Sequence, residues 1–161
     1  MQYPRCIDST FVVEGIEHIK AAYDLGINAF DTANTYSNGL SEVVLGKAIK
    51  QHGLPRDEIV VMTKVYGAFV PNDFSNPWIS MSPVEERDKM RLVNQYGLGR
   101  KNIFQSVKNS LTRLQLDYID VLLCHRFDYD TPIEETMQAL HDVVQAGLVR
   151  YVGMSSCYAW Q

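Results

Sequence analysis

Four polar residues stand where apolar runs of the chain end. Asp31 closes INAFD, Tyr36 follows five residues later, Lys64 closes IVVMTK, and His125 follows VLLC. A phenol with an unperturbed pKa of about 10 is a poor acid at neutral pH. An ammonium group beside a phenol favours the phenolate. A carboxylate beside that ammonium keeps it charged and oriented, and an imidazole can hydrogen-bond a carbonyl oxygen and fix its pose. The four together could deliver a proton to a carbonyl, and general acid catalysis of this kind contributes roughly 10² to 10⁴ in rate. None of them supplies hydride, so a reduction at this site requires a nicotinamide cofactor. Each residue alone has an ordinary reading: a turn cap for Asp31, a core aromatic for Tyr36, a solvated charge for Lys64, a structural histidine for His125. Their joint placement at the ends of successive strands is what gives them weight.

The elements that must position them alternate along the chain. Val12, Ile16, Ile19 and Tyr23 recur at helical spacing, with Gly26 as the C-terminal cap. INAF reads as a strand ending in Asp31. Ser41 is placed to cap a second helix running to Lys50, with Glu42 in its first turn and Val44, Leu45, Ala48 and Ile49 on its apolar side. EIVVMT is the next strand and ends at Lys64. A third helix spans about residues 101–115, with Ile103, Val107, Leu111 and Leu114 on one stripe. YIDVLLC leads to His125. Thr131-Pro132-Ile133-Glu134 reads as a capping box with proline at the first helical position. It opens a fourth helix that buries Met137, Leu140 and Val144 and ends near Gly147. LVRYVGM is the last strand and runs into Ser155 and Ser156.

Strands separated by helices predict parallel pairing with right-handed crossovers. The ends of such strands converge on one edge, where enzymes of this architecture do their chemistry. One spacing is about twice the others. Residues 66–100 form a long insertion between a strand and its helix, on the same edge as the four polar residues. Phe69, Phe74, Trp78 and Tyr96 could line a substrate pocket there or pack the insertion onto the sheet.

The composition narrows the classes. The chain has 161 residues, 46% of them hydrophobic and 21% charged, which is enough for one globular domain. A net charge of −4 argues against a nucleic-acid footprint. No apolar run approaches the ~18 residues needed to span a bilayer. The opening MQYPRCIDST has neither an apolar core nor a small-residue cleavage site, so no signal peptide is expected. Cys6, Cys124 and Cys157 are odd in number and far apart, which predicts free thiols, no metal site and a cytoplasmic location. No G-x-G-x-x-G follows a strand, so the dinucleotide-binding loop of a Rossmann fold is missing. Asp31 and His125 are too few for a metal-dependent barrel hydrolase.

The segments FDTANTYSNGLSEVVLGKAI, IVVMTK, SLTRLQLDYIDVLLCHRFD and AGLVRYVGMSS resemble the aldo-keto reductases, and within them the aryl-alcohol-dehydrogenase-like branch of fungi. The resemblance covers the chain apart from the first ten residues and the 66–100 insertion. It implies a (β/α)₈ TIM barrel, NADPH as reductant, and reversible reduction of aldehydes and ketones, including those of aryl alcohols. It further implies that Tyr36 donates the proton, Lys64 assists it, Asp31 pairs with Lys64, and His125 orients the carbonyl. Asp31 also borders the cofactor. Ser155 matches the serine that contacts the nicotinamide carboxamide, and Ser156 stands where many members carry Asn.

A complete barrel of this kind takes about 250 residues. Measured against the family, four parallel strands and four helices are present: an incomplete barrel that lacks the first strand and the last three. The family's contacts to the pyrophosphate, adenine and 2′-phosphate lie on the missing strands. The expectation is a single partial domain over residues 1–161. Its partners would be a small carbonyl or alcohol substrate, with neither nucleic acid nor membrane. It would tend to self-associate through open sheet edges. The alternative is a non-catalytic relative that keeps the residues but serves as a binding or interaction protein.

Overall fold

The structure is a computed structural model that describes residues 9–68, 70 and 79–161. Its elements run α1 (Ser9–Asp24), β1 (Ala29–Asp31), α2 (Leu40–Gln51), β2 (Val60–Val65), α3 (Val84–Lys89), α4 (Arg100–Leu114), β3 (Ile119–Cys124), α5 (Ile133–Gln145) and β4 (Val149–Met154). The four strands form one sheet in sequential order, every neighbouring pair parallel. This is the predicted alternation, with α3 as an addition inside the 66–100 insertion. No helix among the described residues is long and apolar enough to cross a membrane.

Strand alternation assigns the two faces. Val61 and Val65 of β2, Leu122 and Cys124 of β3, and Val149 of β4 are fully or nearly fully buried. They pack with Leu45 and Ile49 of α2, Ile103, Val107 and Leu114 of α4, and Ala139, Leu140 and Val143 of α5. The core therefore lies between one face of the sheet and the helices. The other face carries Met62, Lys64, Val121, Leu123, Tyr151 and Gly153, which are aligned by the register Met62–Val121–Tyr151 and Lys64–Leu123–Gly153.

A buried polar lock ties α2, β2 and α4 together. Glu42 is fully buried and accepts from Thr63 Oγ1 at 2.6 Å and from Arg113 Nε at 2.5 Å. Glu42 was expected to serve the first turn of α2. It does lie in that turn, but its carboxylate holds the helix to the sheet. Gly46, one turn later, lets α4 approach: a Cβ there would lie 2.4 Å from the Leu114 carbonyl oxygen.

Three local expectations are corrected. Ser41 does not cap α2. The chain enters from a 3₁₀ turn over Tyr36–Gly39, Gly39 is the cap at φ 87°, and the Ser41 hydroxyl shares a hydrogen bond with Thr32 Oγ1 at 2.7 Å. Thr131 forms no capping box. Its hydroxyl donates to Asp128 Oδ2 at 2.7 Å, and α5 begins after Pro132. Met137 is 55% exposed rather than buried. The inward stripe of α5 is Thr136, Ala139, Leu140 and Val143, and Thr136 enters it by donating to the Leu98 carbonyl at 3.2 Å.

The insertion is more structured than a loop. A 3₁₀ turn at Ile79–Met81 precedes α3, and Ala68, Ile79 and Leu92 form a small cluster with Val70 and Tyr96 packed on it. Phe69, Phe74 and Trp78 lie outside the described residues. Cys124 is buried and Cys157 exposed, and both are free; Cys6 lies outside the described residues.

Candidate active site

The register of the sheet brings the first two groups together. Asp31 pairs with Met62, and Lys64 stands two residues further along β2, so both side chains fall on the face away from the helices. Lys64 Nζ donates to Asp31 Oδ2 at 2.6 Å, to the Thr32 carbonyl at 3.0 Å and to Tyr36 Oη at 3.4 Å. The lysine side chain is almost wholly buried, while that of Asp31 is about half exposed. Removing an ammonium from water is costly without partners, and these three acceptors provide them. Asp31 is the last residue of β1, and Lys64 lies one short of the end of β2.

Tyr36 opens the 3₁₀ turn after β1. Two bonds fix this turn over the end of β2: Asn34 N–H donates to the Lys64 carbonyl at 3.1 Å, and Asn34 Nδ2 to the Gly67 carbonyl at 3.3 Å. Ser37 and Asn38, directly after the tyrosine, both hold positive φ, at 47° and 50°. Such backbone is sustained only where the surroundings over-determine it.

His125 follows β3, and its backbone N–H donates to the Val65 carbonyl at 2.9 Å. Its ring meets Tyr36 edge-on, with centroids 5.8 Å apart and an interplanar angle of 77°. Burial pushes the imidazole below the ordinary histidine pKa, the positive charges of Lys64 and Arg126 push the same way, and Asp31 opposes them. These influences favour the neutral ring, which has one N–H to donate and one nitrogen to accept.

Ser155 follows β4, and its N–H donates to the Cys124 carbonyl at 2.9 Å, which places it beside the strand that carries His125. Ser156 holds φ 50°, a left-handed backbone that Asn adopts more readily than Ser. All six residues singled out in the sequence thus belong to the C-terminal edge of one sheet.

A cavity of about 670 Å³ opens at this edge, lined among others by Tyr36, Tyr66, Arg87, Tyr96, His125 and Arg126. Its size suits a small organic ligand. Tyr96 donates to Tyr66 Oη at 3.1 Å, and burial raises the Tyr66 phenol above its usual range. Of the pocket aromatics expected from the insertion, Tyr96 is there. Tyr66, Arg87 and Arg126 were missed. Tyr66 and Arg126 follow strand ends by one and two residues, so the rule that selected His125 would have found them. Arg87 left no comparable signal.

The Aldo/keto reductase family model matches residues 12–161. An aldo-keto reductase of Alternaria alternata is 49% identical over 149 residues, covering 91% of this chain and 41% of its own length. A protein of Schizosaccharomyces pombe named as a candidate aryl-alcohol dehydrogenase is 46% identical over 145 residues, covering 89% of this chain and 44% of its own. Among solved structures, a thermostable aldo-keto reductase in complex with the inhibitor epalrestat superposes with a TM-score of 0.73 at 28% identity, covering 97% of this chain and 46% of that one. The chain spans about two fifths of the length of the curated relatives it matches. Its four parallel strands and their helices correspond to part of a (β/α)₈ barrel. With the family model matching nearly all of its length, the chain belongs to the aldo/keto reductase family.

Proposed function

We propose that this chain carries the proton-donating centre of an NADPH-dependent oxidoreductase that reduces aldehydes or ketones, aryl aldehydes among them, to alcohols in the cytoplasm. One observation carries this reading: Lys64 Nζ bridges the Asp31 carboxylate and the Tyr36 hydroxyl, with the His125 ring against Tyr36, beside a cavity of ligand size.

In this reading Tyr36 Oη gives its proton to the carbonyl oxygen as negative charge develops there. The Lys64 ammonium, 3.4 Å from that hydroxyl, stabilises the charge left on the phenol oxygen, and Asp31 holds the ammonium in place. The neutral His125 donates its N–H to the same carbonyl oxygen and fixes the carbonyl against Tyr36. The side-chain hydroxyls of Ser155 and Ser156 suit the nicotinamide end of the cofactor, because neither forms a hydrogen bond among the described residues and both follow β4 at the same edge. NADPH, when bound, supplies the hydride that no side chain can.

These residues reach only the nicotinamide end, whereas remote contacts normally hold a reacting end in place. A misplacement of about 1 Å can cost ~10²-fold in rate. The 161-residue polypeptide is therefore expected to bind NADPH weakly and to turn over slowly. The test grafts residues 12–161 into the Alternaria relative in place of the matching segment. The graft should oxidise NADPH in the presence of aromatic aldehydes and yield the alcohol. NADPH binding without aldehyde-dependent oxidation would favour the non-catalytic reading instead.

A further inference from the structure

Two arginines line the cavity that the proton transfer does not use. Arg87 of α3 is only 8% exposed. Its guanidinium lies 3.7 Å from the centroid of the Tyr96 ring and donates to the Ser80 carbonyl at 3.3 Å. Arg126 directly follows His125 and is exposed. Two partly buried guanidinium groups elsewhere each face a carboxylate: Arg56 pairs with Asp120, and Arg113 with Glu42. Neither Arg87 nor Arg126 has an ion-pair partner among the described residues, and no Asp or Glu is among the residues lining the cavity.

A guanidinium withdrawn from water without a counter-ion carries an uncompensated desolvation cost. Contact with an aromatic face recovers part of it. A carboxylate nearby would recover more, and the exposed Arg126, whose donors are accessible, is the one able to grip it, because guanidinium and carboxylate match in plane and in two parallel hydrogen bonds. The charge also acts where chemistry is proposed, since Arg126 is among the groups that depress the His125 imidazole. Two positive charges lining one cavity concentrate ligands of opposite sign. The rings of Tyr36, Tyr66 and Tyr96 supply flat apolar surface to the same cavity.

We propose that the cavity selects an aromatic carbonyl compound bearing a carboxylate, which Arg126 holds while Arg87 adds to the positive potential of the wall. The carbonyl then faces Tyr36 and His125. This rests on the reading of the site as a carbonyl-reducing centre and names its substrate class.

The test needs neither cofactor nor turnover. The ¹⁵N-labelled 161-residue protein is titrated at low salt with 4-(hydroxymethyl)benzoate and, separately, with its methyl ester, which has the same ring and alcohol but no charge. The acid should bind at least tenfold more tightly than the ester and shift the His125 and Arg126 resonances. Arg126→Met should abolish the preference, and Arg126→Lys should keep part of it. Equal affinity of acid and ester, with His125 shifted by both, would overturn the charge selection and leave the carbonyl reading standing. If neither compound moved Tyr36 or His125, both would fall. A preference for the acid that survived in Arg126→Met would refute the role of Arg126.

Discussion

The imidazole of His125 is where the surroundings of the site leave a measurable mark. Burial, Lys64 and Arg126 all disfavour its protonated form, against the single opposing influence of Asp31. In the unfolded chain the same ring takes up its proton near pH 6.5. Folding is therefore opposed by protonation. The contribution of the neutral ring is complete above that value, and it declines as pH falls from about 6.5 toward the lower folded-state value. An NMR titration of the folded protein should give a His125 midpoint below 6.5. A midpoint at or above 6.5 would mean that the ring is neither desolvated nor exposed to the two cations.

The four polar groups could be read from sequence because strand ends converge by geometry, whatever the details of packing. The hydrogen bonds of Asn34 that steady the Tyr36 turn could not be read, because they join residues far apart in sequence, Asn34 to Lys64 and to Gly67. The cation lining from Arg87 was equally hidden, since it depends on how the 66–100 insertion folds back over the edge.

Elements were legible where hydrophobic periodicity set them, and less so where polar atoms had competing partners. All four strands fall on the apolar runs. The caps failed because Ser41 and Thr131 had other partners, Thr32 nine residues away and Asp128 only three, that serve their hydroxyls as well as a helix terminus would. Met137 was chosen for the core on polarity, but Thr136 took that place once its hydroxyl had the Leu98 carbonyl. The lock at Glu42 gives sharp expectations. Glu42→Gln leaves Arg113 partly buried without its carboxylate and should cost about 3 kcal/mol of stability. Gly46→Ala drives a methyl group into the backbone of Leu114 and should cost about 1–3 kcal/mol. Denaturant melts should show both as lowered midpoints at an unchanged slope. A Gly46→Ala variant as stable as the parent would show that α2 and α4 are not packed this closely.

Taken as one body, and among the described residues, the sheet pairs β1 and β4 on one side only, with β2 and β3 as their neighbours. Tyr151 is 71% exposed and Trp160 78%, and Val152 and Met154 of β4 are also exposed. An open strand edge beside apolar surface is a template for association. The purified 161-residue polypeptide should show a mass above the monomer in light scattering, rising with concentration. A monomer at every concentration would mean that this surface is better satisfied than the structure indicates.

The proton donor is the claim on which the rest depends, and Tyr36→Phe isolates it, because phenylalanine keeps the ring and removes only the acid. The decisive comparison is made in the barrel formed by grafting residues 12–161 into the Alternaria relative, with NADPH affinity and aromatic aldehyde reduction measured on the same preparations. Tyr36→Phe should lower the rate of alcohol formation by roughly 10²- to 10⁴-fold while leaving NADPH affinity nearly unchanged. A Tyr36→Phe protein that reduced the aldehyde at the parent rate would contradict the assignment of Tyr36 and, with it, the roles given to Lys64, Asp31 and His125.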